Sequence, residues 1–187
     1  MGKFSFSLIL VVFLLGCNGG KDQAKVLDTE PAYFPIKEFI EDQAKRLDKK
    51  GVRKRIEIKG KSQDVEKTLT TEDWLVELDF FVKADINRSS LANSYKTQRS
   101  EKFLIHELKP GEKGKVKKIV VGYEDKLIKQ ISFQMETDDT FYHSGTRGVL
   151  YTHSETGLLD QFSIEGTQKV IFFSPNKITV KASVNPY

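Results

Sequence analysis

Apolar residues recur along this chain at two different spacings. Ile36, Phe39, Ile40, Ala44 and Leu47 share one face at a period of three to four, the stripe of an amphipathic helix. Pro35 suits the first turn of such a helix and Gly51 offers a stop, so the spacing predicts a helix over 36–47. Residues 53–61 follow as a short strand, with Ile56 and Ile58 on one face between charges. Over 74–86 the two periods compete. A helix gathers Trp74, Leu75, Leu78, Phe81 and Val82 into one stripe, with Thr71 as its cap. A strand places every even position from Trp74 to Ile86 on one apolar face, with charges at four of the six odd positions between them. Alternation that complete predicts a strand, long enough to need a bend or bulge. Residues 87–100 are polar and read as a loop.

From residue 101 the period of two persists. It predicts strands over 103–108, 116–123, 127–136, 148–153, 159–165, 168–173 and 178–184. In the clearest of them, Ile131, Phe133 and Met135 alternate with Ser132 and Gln134, and Ile178, Val180, Ala182 and Val184 with Thr179, Lys181 and Ser183. That is the pattern of a sheet with one wet face. Glu124-Asp125-Lys126, Gly166-Thr167 and Ser174-Pro175-Asn176-Lys177 supply short turns, and residues 110–114 a longer one. The predicted architecture over 33–187 is α+β. One N-terminal helix packs on a curved, half-barrel-like antiparallel β-meander of about eight to nine strands.

The N-terminus has neither period. After Met1-Gly2-Lys3, residues 4–15 are apolar except for Ser5 and Ser7. As a helix this run spans about 18 Å, short of the ~30 Å hydrocarbon core, which suits an export signal better than a membrane span. It ends in Leu14-Leu15-Gly16-Cys17. These residues resemble the lipobox of bacterial lipoproteins. The resemblance implies that residues 1–16 are a signal peptide cleaved after Gly16 and that Cys17 receives a diacylglyceryl group. It also implies acylation of the new amine and a membrane partner reached through the lipid on Cys17. Asn18 stands where Asp favours inner-membrane retention in Gram-negative lipoproteins, so the same resemblance implies a lipid anchor in the cell envelope, at the outer membrane. Residues 17–32, polar and glycine-containing, then form a flexible tether.

Composition agrees with a folded exported domain. Apolar residues make up 39% of the chain, thirteen Phe supply bulk for a core, and Cys17 is the sole cysteine, so no internal disulfide forms. The formal charge is only +4, but it is unevenly spread. Basic residues crowd the stretch 45–61, whose candidate binding patch is Lys49, Lys50, Arg53, Lys54 and Arg55. Such a patch suits a phosphate, an anionic lipid or an acidic glycan. A solvated face beside a helix C-terminus explains the same charges. The stretch holds no aromatic residue for base stacking and the chain carries an export signal, so nucleic acid is not an expected partner.

Candidate chemistry is sparse. His106, His143 and His153 lack the spacing of a metal site, and no metal or other cofactor is expected. Residues 143–148 (His-Ser-Gly-Thr-Arg-Gly) lack the order of a nucleophile elbow, and Gly145 and Gly148 read as turn residues. Glu101, Glu107, Glu136, Asp138, Asp139, Glu155 and Asp160 offer carboxylates for a glycosidase pair only if the fold brings two of them together. The leading reading is a non-enzymatic envelope binding or assembly module for an envelope protein, a glycan or anionic lipid. A carrier of apolar ligands predicts instead a solvent-open pocket lined by Phe133, Phe162 and Phe172. An envelope hydrolase predicts a polar cleft where His143 or His153 meets a carboxylate.

Overall fold

The computed structural model describes residues 32–185, so the export signal, Cys17 and most of the tether lie outside the described residues. Helix α1 (Ile36–Arg46) forms behind Pro35 as its stripe predicts, burying Ile36, Ile40, Gln43 and Ala44. Gly51 does not stop it. Leu47 caps the helix, Lys49 makes the reversal at φ 60°, and Gly51 already lies in strand β1 (Lys50–Ile58).

Over 74–86 the helical period wins, contrary to the strand expected there. Thr70 and Asp73 form a capping box: the Asp73 N–H donates to Thr70 Oγ1 at 3.3 Å and the Thr70 N–H to Asp73 Oδ2 at 3.0 Å. Helices α2 (Thr71–Glu77) and α3 (Asp79–Lys83) follow. Trp74, Leu78 and Phe81 are fully buried, whereas Val76 and Phe80, which a strand would place beside Trp74, are exposed. The cap lies just N-terminal to the alternating run, at Thr70 rather than Thr71, so counting within the run could not find it. The described residues therefore hold three short α-helices, where one helix and a strand were expected.

The remaining elements are strands: β2 (Lys61–Leu69), β3 (Tyr95–Arg99), β4 (Phe103–Leu108), β5 (Val116–Glu124), β6 (Leu127–Asp138), β7 (Tyr142–Thr152), β8 (Leu159–Val170) and β9 (Asn176–Asn185). They make a single antiparallel sheet in the order β2-β1-β9-β8-β7-β6-β5-β4-β3, an open sheet with edges at β2 and β3. β3 to β9 form a meander, and the β1–β2 hairpin joins it through β1 on β9. Both edge strands escaped the sequence reading. β2 buries only Leu69 and β3 only Tyr95, so neither shows alternation. Charged edges of this kind also discourage pairing with other chains.

Two further expectations change. Gly166-Thr167 is not a turn: β8 runs through it, and the chain reverses at 171–175. Gly145 and Gly148 are not turn residues either, because both lie inside β7. Gly148 is needed for space. The Phe133 ring lies across it so closely that a Cβ there would meet ring carbons at 2.3 Å.

One face of the sheet is covered. Val52, Phe162, Leu150, Ile131, Phe133, Ile119 and Leu104 pack with the helix stripes into one core, and Phe81 of α3 meets Phe133 edge-on at 5.0 Å. Gln43, buried on α1, clamps the β7–β8 loop: its Nε2 donates to the Gly157 carbonyl at 3.1 Å, and its Oε1 accepts the Leu159 N–H at 2.7 Å. Among the described residues, no helix lies over the other face.

Candidate functional site

Alternation along each strand decides what the uncovered face displays. Because Phe162, Leu150 and Ile131 point into the core, their neighbours Ser163, Val149 and Ser132 point outward. Cross-strand register aligns them into one row: Asp64, Arg55, Lys181, Ser163, Val149, Ser132 and Val120 stand side by side from β2 to β5. On one side of this row lie Arg53, Ser183, Gln161 and Tyr151; on the other lie Glu165, Arg147, Gln134 and Lys118. Small side chains at Ser163, Val149, Ser132 and Val120, with Arg147, Gln134, Lys118, Gln161 and Tyr151 beside them, make a groove across the strands. Two hollows of about 510 and 420 Å³ compose it and meet at Ser163. From Val120 to Lys181 it crosses four strand spacings, about 19 Å.

The charges in the groove are largely paired. Arg55 grips Asp64 through two bonds, Nε to Oδ1 at 2.8 Å and Nη2 to Oδ2 at 2.9 Å. That hydrogen bonding holds the Asp64 carboxyl below its ordinary range. Arg53 meets Glu66 at 3.4 Å, Lys177 meets Glu165 at 3.6 Å and Lys118 meets Glu107 at 3.9 Å. Arg147 and Lys181 line the groove with no ion-pair partner among the described residues.

The basic patch expected from the sequence is divided between two sides of the sheet. Arg53 and Arg55 reach the uncovered face, while Lys54 points to the helix side and pairs with Glu77 of α2. Lys49 occupies the reversal before β1, where its N–H donates to the Leu69 carbonyl, and Lys50 opens β1 opposite Leu69. A run of bases in a strand points alternately to both faces, so one sequence cluster becomes two surface locations.

The histidines separate just as clearly. His106 is a core residue, 1% exposed. Its Nε2 accepts the Phe34 N–H at 3.1 Å, so Nδ1 carries the proton and donates to Thr97 Oγ1 at 2.9 Å. Burial, with Arg99 nearby, pushes its pKa down to about 4. His153 sits in the β7–β8 loop and accepts the Glu155 N–H through Nδ1 at 3.3 Å. His143 does meet a carboxylate, as the hydrolase reading requires, since its Nδ1 pairs with Asp138. Both are exposed at the β6–β7 turn, and among the described residues no hydroxyl bonds to that ring. The carboxylates divide between the two ends of the sheet: Glu107, Glu136, Asp138 and Asp139 lie at one end, Glu101, Glu155 and Asp160 at the other. No group of three His, Cys, Asp or Glu side chains converges among the described residues.

The three phenylalanines of the carrier reading do not share a pocket. Phe133 and Phe162 are core residues, and Phe172 is wholly exposed in the β8–β9 loop. Asp64 and Glu66 went unseen because β2 showed no period. Arg147, Tyr151, Gln161, Ser163 and Lys181 carried a signal, since each is the outward member of an alternating pair. Nothing in one sequence shows which outward residues become neighbours.

No protein-family model, curated protein or solved structure matches this chain.

Proposed function

We propose that this protein is an envelope lipoprotein, held to the membrane through Cys17, whose domain is a non-enzymatic binding module. The uncovered sheet face takes an extended acidic glycan. The observation that carries the reading is the pair of unmatched cations, Arg147 and Lys181, in a groove where the acids Asp64 and Glu165 are already neutralised. A ligand supplying negative charge completes the pairing, and guanidinium groups favour carboxylate or phosphate through paired hydrogen bonds. Gln134 and Gln161 offer planar donors and acceptors for hydroxyls, and the exposed Tyr151 ring offers a face for the apolar side of a sugar. The half-barrel curvature expected of so long a meander belongs to this reading, wrapping the sheet around its helices and leaving the groove on the outer face.

The combined substitution Arg147→Ala and Lys181→Ala is expected to weaken binding of acidic oligosaccharides from the cell's own envelope by about tenfold or more, two exposed charge-assisted contacts being removed. Both residues are on the surface, so thermal unfolding should stay within a few degrees of the parent. Calorimetric titration reads the affinity. Equal binding by parent and variant would remove the groove from the account.

A further inference from the structure

Among the described residues, most of the exposed large apolar side chains gather at one end of the sheet. Phe141 lies in the β6–β7 turn with Tyr142 at the start of β7; Ile171, Phe172 and Phe173 lie in the β8–β9 turn beside it, with Val170 at the end of β8. The two turns form one structural unit: Tyr142 pairs with Val170, and the Ile171 N–H donates to the Phe141 carbonyl at 3.0 Å. Just behind them the exposed residues Ile58 and Ile178 face each other across β1 and β9.

Nothing in the fold accounts for these side chains. Phe172 is 101% exposed and adopts φ 69°, a backbone region that suits glycine and is uncommon for a bulky residue. The folded domain gains no packing from the ring and carries a conformational cost for keeping it there. Phe173 is 72% and Phe141 67% exposed. These rings project from two adjoining hairpin turns, and the hollow beside them is lined by polar residues, among them Lys59, Ser174 and Lys177, rather than by the rings.

Charge identifies the occupant. Lys59 and Lys61 bracket the neighbouring β1–β2 turn, and Lys169 flanks Val170; all three are exposed, and none has an ion-pair partner among the described residues. Aromatic side chains flanked by these three lysines match a bilayer surface, with rings among the acyl chains and ammonium groups at the phosphates; the acids of the β6–β7 turn are Asp138, paired with His143, and Asp139. The chain also joins the domain at this end. Tyr33 packs edge-on against Tyr95 at the start of β3, 5.5 Å away, and bonds to the Leu91 and Ala92 carbonyls.

We propose that the β6–β7 and β8–β9 turns dip into the lipid bilayer and form a second membrane contact that orients the domain. This rests on the lipid-anchored reading only for the source of the bilayer. The two or three chains expected on Cys17 already hold the protein at the membrane, so the turns add orientation rather than attachment. Contact at the strand ends stands the sheet upright on the membrane, with the groove face open to the side.

The test places a fluorophore at the turn. Full-length protein carrying Phe172→Trp is added to preformed vesicles of phosphatidylethanolamine and phosphatidylglycerol with brominated acyl chains. Emission above the Trp74 background is expected to shift to the blue and fall by about twofold through contact quenching, while Val76→Trp on exposed α2 is unaffected. The paired change Phe172→Ser and Phe173→Ser should lower vesicle partition by about tenfold or more. Vesicles of phosphatidylcholine alone should bind more weakly, because the lysines lose their anionic partner. No shift and no quenching, or equal quenching from Val76→Trp, would overturn the proposal. A blue shift that grows with protein concentration in the absence of vesicles would overturn it too, by assigning the turns to a second copy of the chain. Metabolic labelling with a fatty-acid analogue, lost in Cys17→Ala, is read separately. An unlabelled parent sinks the anchor while leaving the turn measurement intact.

Discussion

Trp74→Ala is expected to destabilise the domain by about 3–5 kcal/mol, the range for deleting a large buried aromatic side chain. The indole is fully buried, and its Nε1–H donates to the Leu47 carbonyl at 2.8 Å, tying α2 to the cap of α1. Helix α2 is only seven residues long, too short to persist without tertiary packing. Losing the ring removes what holds it to α1. A small domain has roughly 5–15 kcal/mol in total, so the variant should sit close to unfolding at room temperature. Trp74→Phe keeps most of the bulk and forfeits the hydrogen bond, an expected loss of about 1–2 kcal/mol. Urea midpoints with unchanged slope decide the matter. Equal losses for the two variants would show that the bond rather than the volume dominates.

The second large effect is acid lability centred on His106. Its folded pKa is about 4, below the ordinary histidine value of 6.5, because burial disfavours the imidazolium. The unfolded chain therefore takes up this proton first as pH falls. The contribution to stability is whole above pH ~6.5, declines between about 6.5 and 4, and is spent below that, on the order of 3 kcal/mol in all. Protonation would also oblige Nε2 to donate toward the Phe34 N–H that it now accepts. The measurement is the urea midpoint across that pH range for the parent and for His106→Leu. The variant should be less stable near neutrality, yet lose markedly less stability as pH falls. Parallel curves would contradict the assignment, since carboxylates titrate equally in both proteins.

Much of the fold was legible because most of its strands are half-buried. β4, β5, β6 and β9 were found almost to their ends, their inward and outward residues differing sharply in polarity. The failures have distinct physical causes. β2 and β3 are edge strands with scarcely a buried residue, so they left no period to count. The helices α2 and α3 were misread because a seven-residue helix followed by a five-residue one imitates alternation, with Val76 and Phe80 supplying exposed apolar residues at strand positions. Their capping box, Thr70 with Asp73, was the better clue. β8 was cut in two because Gly166 suggested a turn, whereas the reversal lies at Phe172, where glycine would be expected and phenylalanine stands.

The site was less legible than the fold. A cluster of bases in sequence pointed to Lys49, Lys50, Arg53, Lys54 and Arg55, and strand geometry sends Lys54 to one side and Arg53 and Arg55 to the other. The groove residues come from seven different strands. Only cross-strand register brings Lys181 beside Ser163 and Ser163 beside Val149.

An amide-resolved NMR titration of the protein with acidic oligosaccharides cleaved from the envelope tests the binding-module account most directly. Saturable shifts should concentrate at Ser132, Arg147, Val149, Ser163 and Lys181, and leave Val76 and Phe80 on the helix side unmoved. Shifts confined to the helix side, or none that saturate, would contradict it.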